Sequence, residues 1–357
     1  MLFTPLTIRG RVIRNRVWLP PMCQYQVEAG DGRPTDWHLA HYGARAAGGF
    51  GLLIMEATAV APDGRITVGD LGLWEDGQVA GFARIADLVH RCDALLGVQL
   101  AHSGRKGSTW RDLPGFPQGV QPVADGGFQP VGPTNSAFPG LGNPRGLTTE
   151  EAAALPARFA DAAQRADAAG LDVVEIHAAH GYLLHEFLSP LTNTRTDCYG
   201  GSFENRSRLL REVVEQVRWV WPEQKPLFVR VSATEWVDGG WSVEDTAALA
   251  VELGPLGVDL VDVSSGGNVI APIPSAPGYQ APLAAEVRRV SGLLTAAVGQ
   301  IDEPGLAEQI LLSGQADAIL VGRAGLREPG WPERAAAALG EPSPLAPSYR
   351  RGALPRA

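Results

Sequence analysis

The sequence predicts one (β/α)8 barrel, and three features point to this fold class. Eight short apolar runs, mostly rich in Val, Ile or Leu, are bounded by Gly, Pro or Asp, as strands buried on both faces usually are. They recur about every 43 residues, a spacing within the range of repeated supersecondary units, and segments with helical spacing lie between them. Strands that alternate with helices in this way are typical of a barrel. The runs are RVWLPP (16–21), GLLIMEATAV (51–60), LLGVQLAH (95–102), LDVVEIHAAH (171–180), PLFVRVSA (226–233), VDLVDVSSGG (258–267), LLTAAVGQI (293–301) and ADAILVGRA (316–324).

Helices are predicted from periodicity and from end signals. Thr148-Thr149-Glu150-Glu151 is a capping signal, Gly170 marks the end of the same helix, and Ser242 is a candidate N-cap. A doubly wound sheet is the alternative fold, but no G-x-G-x-x-G follows the first strand to support it. The predicted helices are Glu150–Ala169, Glu204–Trp219, Val243–Leu253, Leu283–Val290 and Pro304–Leu312.

Two connections between these elements are longer than loops usually are, namely 102–149 and 266–280. In a barrel both leave the carboxyl ends of strands, which is the face where substrates bind, so we expect them to form the roof of a pocket. No stretch has the composition of a linker. We therefore expect a single domain over residues 1–357, with a C-terminal tail from about residue 341.

Composition excludes several classes of protein. The 357 residues are 45% hydrophobic and 19% charged, which is typical of a globular chain with a large core. The net charge of −9 disfavours nucleic-acid binding. Three cysteines without C-x-x-C spacing, Cys23, Cys92 and Cys198, exclude a disulfide framework and disfavour a zinc or iron–sulfur site. Arginines interrupt the N-terminal segment before a signal peptide can form, and no apolar run is long enough to span a bilayer, so we expect a cytoplasmic protein.

The barrel prediction places polar residues at the carboxyl ends of the strands, and their types suit a binding site. Cys23 is either an inert buried thiol or a functional one. Gln99 lies on an apolar strand, so its amide needs a partner, either a backbone group or a ring with imide edges. Arg230, within Leu-Phe-Val-Arg-Val, faces either an anionic ligand or a carboxylate of a neighbouring strand. Tyr182 is either a proton donor or an aromatic lining residue.

The ends of the last two strands suit a phosphate group. Gly299 and Gly322 let backbone N–H groups approach such an anion, and Arg323 supplies a guanidinium. The alternative is that Gly322 only turns the chain while Arg323 pairs with a surface carboxylate.

His177 and His180 follow the fourth strand and resemble a pair of metal ligands. The ligand set is incomplete, because no Cys is near in sequence and Glu175 lies one pleat deeper in the barrel, so we expect no metal site. Two neutral imidazoles that donate to one carbonyl oxygen would instead polarise it, as an oxyanion hole does. The alternative is that both histidines find their partners within the core.

The residues named above lie within longer segments that resemble those of a known protein family. The segment HAAHGYLLHEFLSPLTNTRTDCYGGSFENRSRLLREVV (177–214) resembles the signature of the Old Yellow Enzyme family of FMN-dependent ene reductases. PPMCQY (20–25), HYGARAAGGFGLLIMEATAV (41–60), VQLAHSGRK (98–106), VRVSATEWVDGGW (229–241) and ILVGRA (319–324) are similar to its other blocks. The combination of Cys23, Tyr25, His177 and His180 resembles the thermophilic-like bacterial subgroup.

The resemblance implies a role for each candidate residue around an FMN that lies across the barrel mouth. His177 and His180 would bind the activated carbonyl, Tyr25 would add a hydrogen bond to the ligand, and Tyr182 would be the proton donor. Arg230 would lie beside the N1/C2=O edge of the flavin, and Cys23 would tune its redox properties. The cofactor-binding residues implied are Pro20, Pro21, Met22, Cys23, Ala57, Gln99, Arg230, Gly299, Gly322 and Arg323.

The resemblance also implies the reaction and the partners. NADPH, or NADH, would reduce the flavin and leave, after which an enone or enal would enter the same pocket in a ping-pong scheme. SYRRGA (348–353) is similar to the subgroup's C-terminus, whose arginine enters a neighbouring active site. Arg351 is its match, although Ala353 stands where an aromatic residue often follows, and a homodimer or homotetramer is implied.

Three other functions can be compared with these residues. Related flavin barrels that act on dienoyl thioesters or amines carry an extra domain and an iron–sulfur cluster, for which three dispersed cysteines are too few. A flavin-binding redox sensor would use Cys23 as its switch and have no turnover. A metal-dependent barrel lyase would be colourless and hold a metal.

Overall fold

A computed structural model describes residues 1–356 and shows a closed barrel of eight parallel strands. Each strand pairs with the next one along the chain, and the last strand pairs with the first to close the barrel. Every strand lies within one of the predicted apolar runs, so the predicted fold class is confirmed. The strands are β1 (Val17–Leu19), β2 (Leu52–Ala59), β3 (Leu95–Ala101), β4 (Val173–Ala178), β5 (Leu227–Ser232), β6 (Leu260–Ser264), β7 (Leu294–Ala297) and β8 (Ala318–Leu320).

Among the described residues, one longer helix follows each strand. The five predicted helices form with ends within two residues of the prediction, whereas the first two helices and the last one are not among those predicted. The helices are α1 (Asp36–Ala47), α2 (Val79–Arg91), α3 (Thr149–Ala168), α4 (Phe203–Val220), α5 (Val243–Leu253), α6 (Ala281–Ser291), α7 (Pro304–Leu312) and α8 (Trp331–Ala338). Short helices Leu183–Leu188 and Arg323–Arg327 precede α4 and α8.

The predicted helix caps form as expected. The Thr148 side chain accepts from the backbone N–H of Glu151, and the Ser242 side chain accepts from that of Asp245. Such caps satisfy N–H groups that have no partner within the helix. No helix within residues 1–356 has both the length and the apolar composition needed to cross a membrane.

Apolar side chains fill the amino-terminal end of the barrel. A hairpin of Leu6–Ile8 and Arg11–Ile13 contributes to this cluster together with residues at the starts of the strands. Within it, Trp18 stacks on Phe228 with ring centroids 5.8 Å apart. Because this end is filled, the polar interior opens only towards the carboxyl ends of the strands.

The long loops meet over that open end. Lys106, in the loop after β3, donates from Nζ to the backbone oxygen of His180 at 2.8 Å and of Gly267 at 3.1 Å. Arg105 donates to the backbone oxygen of Asn268 at 2.6 Å. Two neighbouring cations thus join the loops after β3, β4 and β6, as expected for a pocket roof.

Candidate functional site

A cavity of about 240 Å³ lies at the carboxyl ends of the strands, where the site was predicted. Arg230 enters it from β5, and Ser264, the last residue of β6, contributes a hydroxyl. Two side chains that the sequence reasoning missed, Tyr279 and Gln280, close one side. Predicted cofactor residues that line this cavity are Pro20, Pro21, Met22, Arg230, Gly299, Gly322 and Arg323.

Gly299 has a backbone conformation that favours glycine, with φ of 120°. A Cβ built there would lie 2.8 Å from Gln280 Nε2 and 3.0 Å from the Tyr279 ring. Gln280 is fixed in place because its Oε1 accepts from Ser265 and its Nε2 donates to the Val298 backbone oxygen. Glycine is therefore required at this edge of the cavity. One feature of the sequence could have indicated Tyr279 and Gln280: they lie just before α6, at the end of the 266–280 loop.

Cys23 and Ala57 lie together beside the cavity, in an apolar cluster that also contains Tyr182. A bulge in β2 between Met55 and Ala57 interrupts the register with β3 at Glu56. The buried Glu56 carboxylate accepts from the backbone N–H of Gln24 and contacts His38 Nε2 at 3.1 Å. The bond from Gln24 to Glu56 anchors the segment that follows β1. Burial, and then the charges of Asp70 and Glu56, raise the pKa of Cys23 well above its usual value, so it is a thiol rather than a thiolate.

The interior below the cavity holds a polar layer. Gln99 Nε2 donates to Glu175 Oε1 at 2.8 Å, so its partner is a side chain, not the backbone group considered above. Arg230 Nε lies 3.0 Å from Asp262 Oδ2, an ion-pair contact that lacks hydrogen-bond alignment. The structure therefore shows the second alternative for Arg230, an ion pair with a carboxylate of the neighbouring strand, while the side chain also lines the cavity.

His177, His180 and Tyr182 lie together, as the prediction required. The two imidazole centroids are 5.2 Å apart, and the His177 and Tyr182 rings are also 5.2 Å apart. His180 Nε2 lies 2.7 Å from the Oγ of Ser264, which lines the cavity, whereas His177 Nδ1 has no protein partner. Burial, and then the charge of Arg230, lower the pKa of both histidines well below the usual value, so both imidazoles are neutral at pH 7.

The contacts of a third histidine, His185, hold the turn that carries His180. His180 has φ of 59°, and the next residue, Gly181, donates its backbone N–H to His185 Nδ1 at 2.9 Å. His185 Nε2 in turn lies 3.3 Å from Glu235 Oε1, and both side chains are fully buried. Glu235 Oε1 also accepts from Asn268 Nδ2. The left-handed turn is therefore supported by the loops after β5 and β6, and sequence reasoning missed this support.

Both tyrosines of the predicted site stay protonated. Burial, the largest cause, raises the pKa of Tyr25 and of Tyr182 above the usual value. Tyr25 has φ of 55°, which is uncommon for a non-glycine residue. Lys106 Nζ lies 4.9 Å from the centroid of the Tyr182 ring.

Arg351 lies apart from this cavity in its own chain. It is exposed, in the 3₁₀ turn Pro347–Gly352. The tail packs on the barrel through Ala346, whose N–H donates to the Ala47 backbone oxygen, and Leu354, whose N–H donates to Glu333 Oε1. In residues 1–356 no group of three or more His, Cys, Asp or Glu side chains is arranged to hold a metal ion.

Comparison with known proteins decides the family. The model of the NADH:flavin oxidoreductase / NADH oxidase family matches residues 1–341. The chain belongs to this family. This chain is 44% identical over 352 residues to an NADPH dehydrogenase of Bacillus subtilis (strain 168), and the alignment covers 98% of each chain. The predicted membership of the Old Yellow Enzyme family is thereby confirmed, and the protein is an FMN-dependent NADPH oxidoreductase.

Solved structures agree with this family assignment. An old yellow enzyme homologue from Zymomonas mobilis matches the flavin oxidoreductase with a TM-score of 0.78 and 31% identity, over 93% of this chain and 91% of that one. A 2-naphthoyl-CoA reductase matches with a TM-score of 0.85 and 25% identity. That alignment covers 97% of this chain but only 53% of the reductase, so this chain spans about half of its length.

The residues that line the cavity suit FMN. Arg230 Nε is buried without a hydrogen-bond partner and would offer a cation to a bound flavin ring. Space is open beside Gly322, where even an added Cβ would lie 3.6 Å from Pro20 and 3.7 Å from Met22. Exposed Arg323 follows it at the start of a short helix. These are the donor types that a ring with imide edges and a phosphate require.

Proposed function

We propose that the protein reduces the activated C=C bond of α,β-unsaturated carbonyl compounds, with enones and enals as the substrate class. The observation that carries this proposal is the pair of neutral imidazoles beside the cavity, with Tyr182 next to His177. When bound, FMN supplies the hydride chemistry, and the protein contributes orientation and polarisation.

His177 and His180 polarise the carbonyl oxygen of the substrate. Neutral donors in a buried site stabilise charge that develops on an oxygen, because water does not compete with them. His180 Nε2 is engaged by Ser264, so Nδ1 is the nitrogen left for the ligand. A donor role at Nδ1 requires the Ser264 hydroxyl to donate to Nε2, which fixes the tautomer.

Tyr182 delivers the proton to the α carbon. Its raised pKa keeps the phenol protonated through the pH range in which the enzyme works. Lys106, whose ammonium lies over the Tyr182 ring, stabilises the phenolate that forms as the proton leaves. Tyr25 adds a hydrogen bond to the ligand from the loop after β1.

The nicotinamide and the enone use the same cavity in turn, so the kinetics are ping-pong. NADPH binds first, leaves oxidised, and is replaced by the enone. The redox-sensor alternative receives no support, because burial keeps Cys23 a thiol, and the thiolate is the reactive form. Arg351, exposed in the tail, reaches a neighbouring copy in a homodimer or homotetramer.

The test is the enone half of the reaction in His177→Ala and His180→Ala. The bound flavin is reduced with one equivalent of dithionite, and its reoxidation by cyclohexenone is followed in a stopped-flow spectrometer. We expect both variants to retain FMN and to lose about 10²–10³ in reoxidation rate, the usual effect of removing one such donor. His90→Ala, at the distant end of α2, is the matched control and keeps the wild-type rate. Reoxidation of both site variants at the wild-type rate would refute the polarising role.

A further inference from the structure

The polar layer beneath the cavity contains two carboxyl groups but only one guanidinium. Glu175 is 0% exposed and Asp262 is 1% exposed, and the one guanidinium beside them, Arg230, is 6% exposed. The charged groups that act on Glu175 are Asp262 from β6 and Arg230 from β5, while β3 contributes the neutral amide of Gln99. His177, two residues along β4, is neutral.

Two ionised carboxylates and one guanidinium would leave one uncompensated negative charge in this interior. An isolated buried carboxylate is so costly that the group takes up a proton instead. Two close carboxyl groups behave in the same way, because like charges disfavour the second ionisation.

The contacts identify which carboxyl holds the proton. Asp262 lies 3.0 Å from Arg230 Nε and is thus the ionised partner. Glu175 Oε1 accepts from Gln99, whereas Glu175 Oε2 and both Asp262 oxygens are buried with no hydrogen-bond donor. A proton on Glu175 Oε2 would supply the hydrogen-bond donor that the Asp262 carboxylate lacks, and the charge of Asp262 acts on Glu175.

We propose that Glu175 is a neutral carboxylic acid that shares its proton with Asp262, and that this pair controls the charge beneath the flavin. Hydride delivery leaves a negative charge on the cofactor, and an ionised Glu175 would repel it. At alkaline pH the pair therefore binds one solvent proton for each hydride that FMN accepts. This second step rests on the placement of FMN over Arg230, whereas the shared proton does not.

The pKa of Glu175 agrees with the placement of the proton on this residue. Burial, and then the charge of Asp262, raise the pKa of Glu175 to about 8. A nearby negative charge on the cofactor raises it further, and by linkage the same coupling favours reduction when Glu175 is protonated. Between the two pKa values, reduction takes up one extra proton.

The experiment measures the midpoint potential of the holoenzyme from pH 6 to pH 10 in the wild type and in Glu175→Gln. Glutamine imitates the neutral acid, so we expect equal potentials at pH 6 to 7. Above about pH 8 the wild-type potential should fall more steeply, by about 30 mV per pH unit, since one proton changes a two-electron equilibrium tenfold per unit. Asp262→Asn leaves one carboxylate facing Arg230, so Glu175 ionises and the extra slope should disappear. Parallel curves for wild type and Glu175→Gln over the whole range would overturn the coupling.

Infrared difference spectroscopy of the full-length chain tests the shared proton separately. The wild-type minus Glu175→Gln spectrum at pH 7 should contain a protonated carboxyl C=O band that is lost by pH 10. This subtraction removes Glu186 and Asp70, whose pKa values burial also raises. Absence of the band would overturn the shared proton. A band together with parallel potentials would retain the shared proton and refute the placement of the flavin above it.

Discussion

Replacing Arg230 with Met tests the ion pair on which the site is built. Methionine keeps most of the alkyl chain but removes the guanidinium, which leaves the buried Asp262 carboxyl without its cation. Breaking a buried pair by removing one partner costs about 3–5 kcal/mol. Unfolding entropy of about 2.1 cal/mol/K per residue amounts to about 0.75 kcal/mol/K for this chain, so Tm should fall by about 4–7 °C. Thermal unfolding of cofactor-free protein measures this, because bound FMN would add its own stabilisation.

The loss should depend on pH and on Asp262. Burial, opposed by Arg230, raises the pKa of Asp262 to about 6, and removal of the guanidinium raises it further. The variant therefore carries a neutral Asp262 at pH 5 and loses less stability there than at pH 8. Arg230→Met combined with Asp262→Asn should recover most of the loss at pH 8. Equal losses at both pH values, or a double variant as unstable as the sum of the single ones, would refute the reasoning.

Three further predictions follow from the geometry. Arg323→Ala should weaken FMN retention on dialysis at least tenfold, since a charge-assisted bond to phosphate is worth about 1.5–3 kcal/mol; unchanged retention would contradict the phosphate assignment. His185→Leu leaves the Gly181 N–H without an acceptor, at a cost of about 1–3 kcal/mol, and should slow cyclohexenone reduction, with His185→Asn restoring part of the rate; a wild-type rate in His185→Leu would show that the turn needs no support. Cys23 should react with iodoacetamide at pH 8 far more slowly than exposed Cys198, as mass spectrometry of the alkylated peptides will show; equal rates would restore the redox-switch alternative.

The strands could be predicted from sequence because parallel strands buried on both faces leave continuous apolar runs. The first helix could not, because α1 buries polar side chains. His38, Tyr42 and Arg45 face inward, where His38 and Tyr42 contact Glu56, and Arg45 donates to the backbone oxygen of Gly325. A polar inner face hides the helical period. Helix α2 is different, since its apolar face was present in the sequence and was overlooked.

The positions of the site residues along the strands could be predicted, but their partners across strands could not. Gln99 faces Glu175, and Arg230 faces Asp262, only because the β3–β4 and β5–β6 registers place them opposite each other. Single-sequence patterns carry little information about register between strands far apart in the chain. The same holds for the bond between His180 and Ser264, which joins the loop after β4 to the end of β6. The signal that was available was a charged residue, Asp262, inside an apolar run.

The central claim is that the barrel mouth holds an FMN that NADPH reduces and an enone reoxidises. The most direct measurement is the visible spectrum of the protein reconstituted with FMN, followed anaerobically through addition of NADPH and then cyclohexenone. We predict a bound flavin spectrum that NADPH bleaches and that cyclohexenone restores. A protein that takes up no FMN, or a bleached flavin that cyclohexenone leaves reduced, would contradict the account.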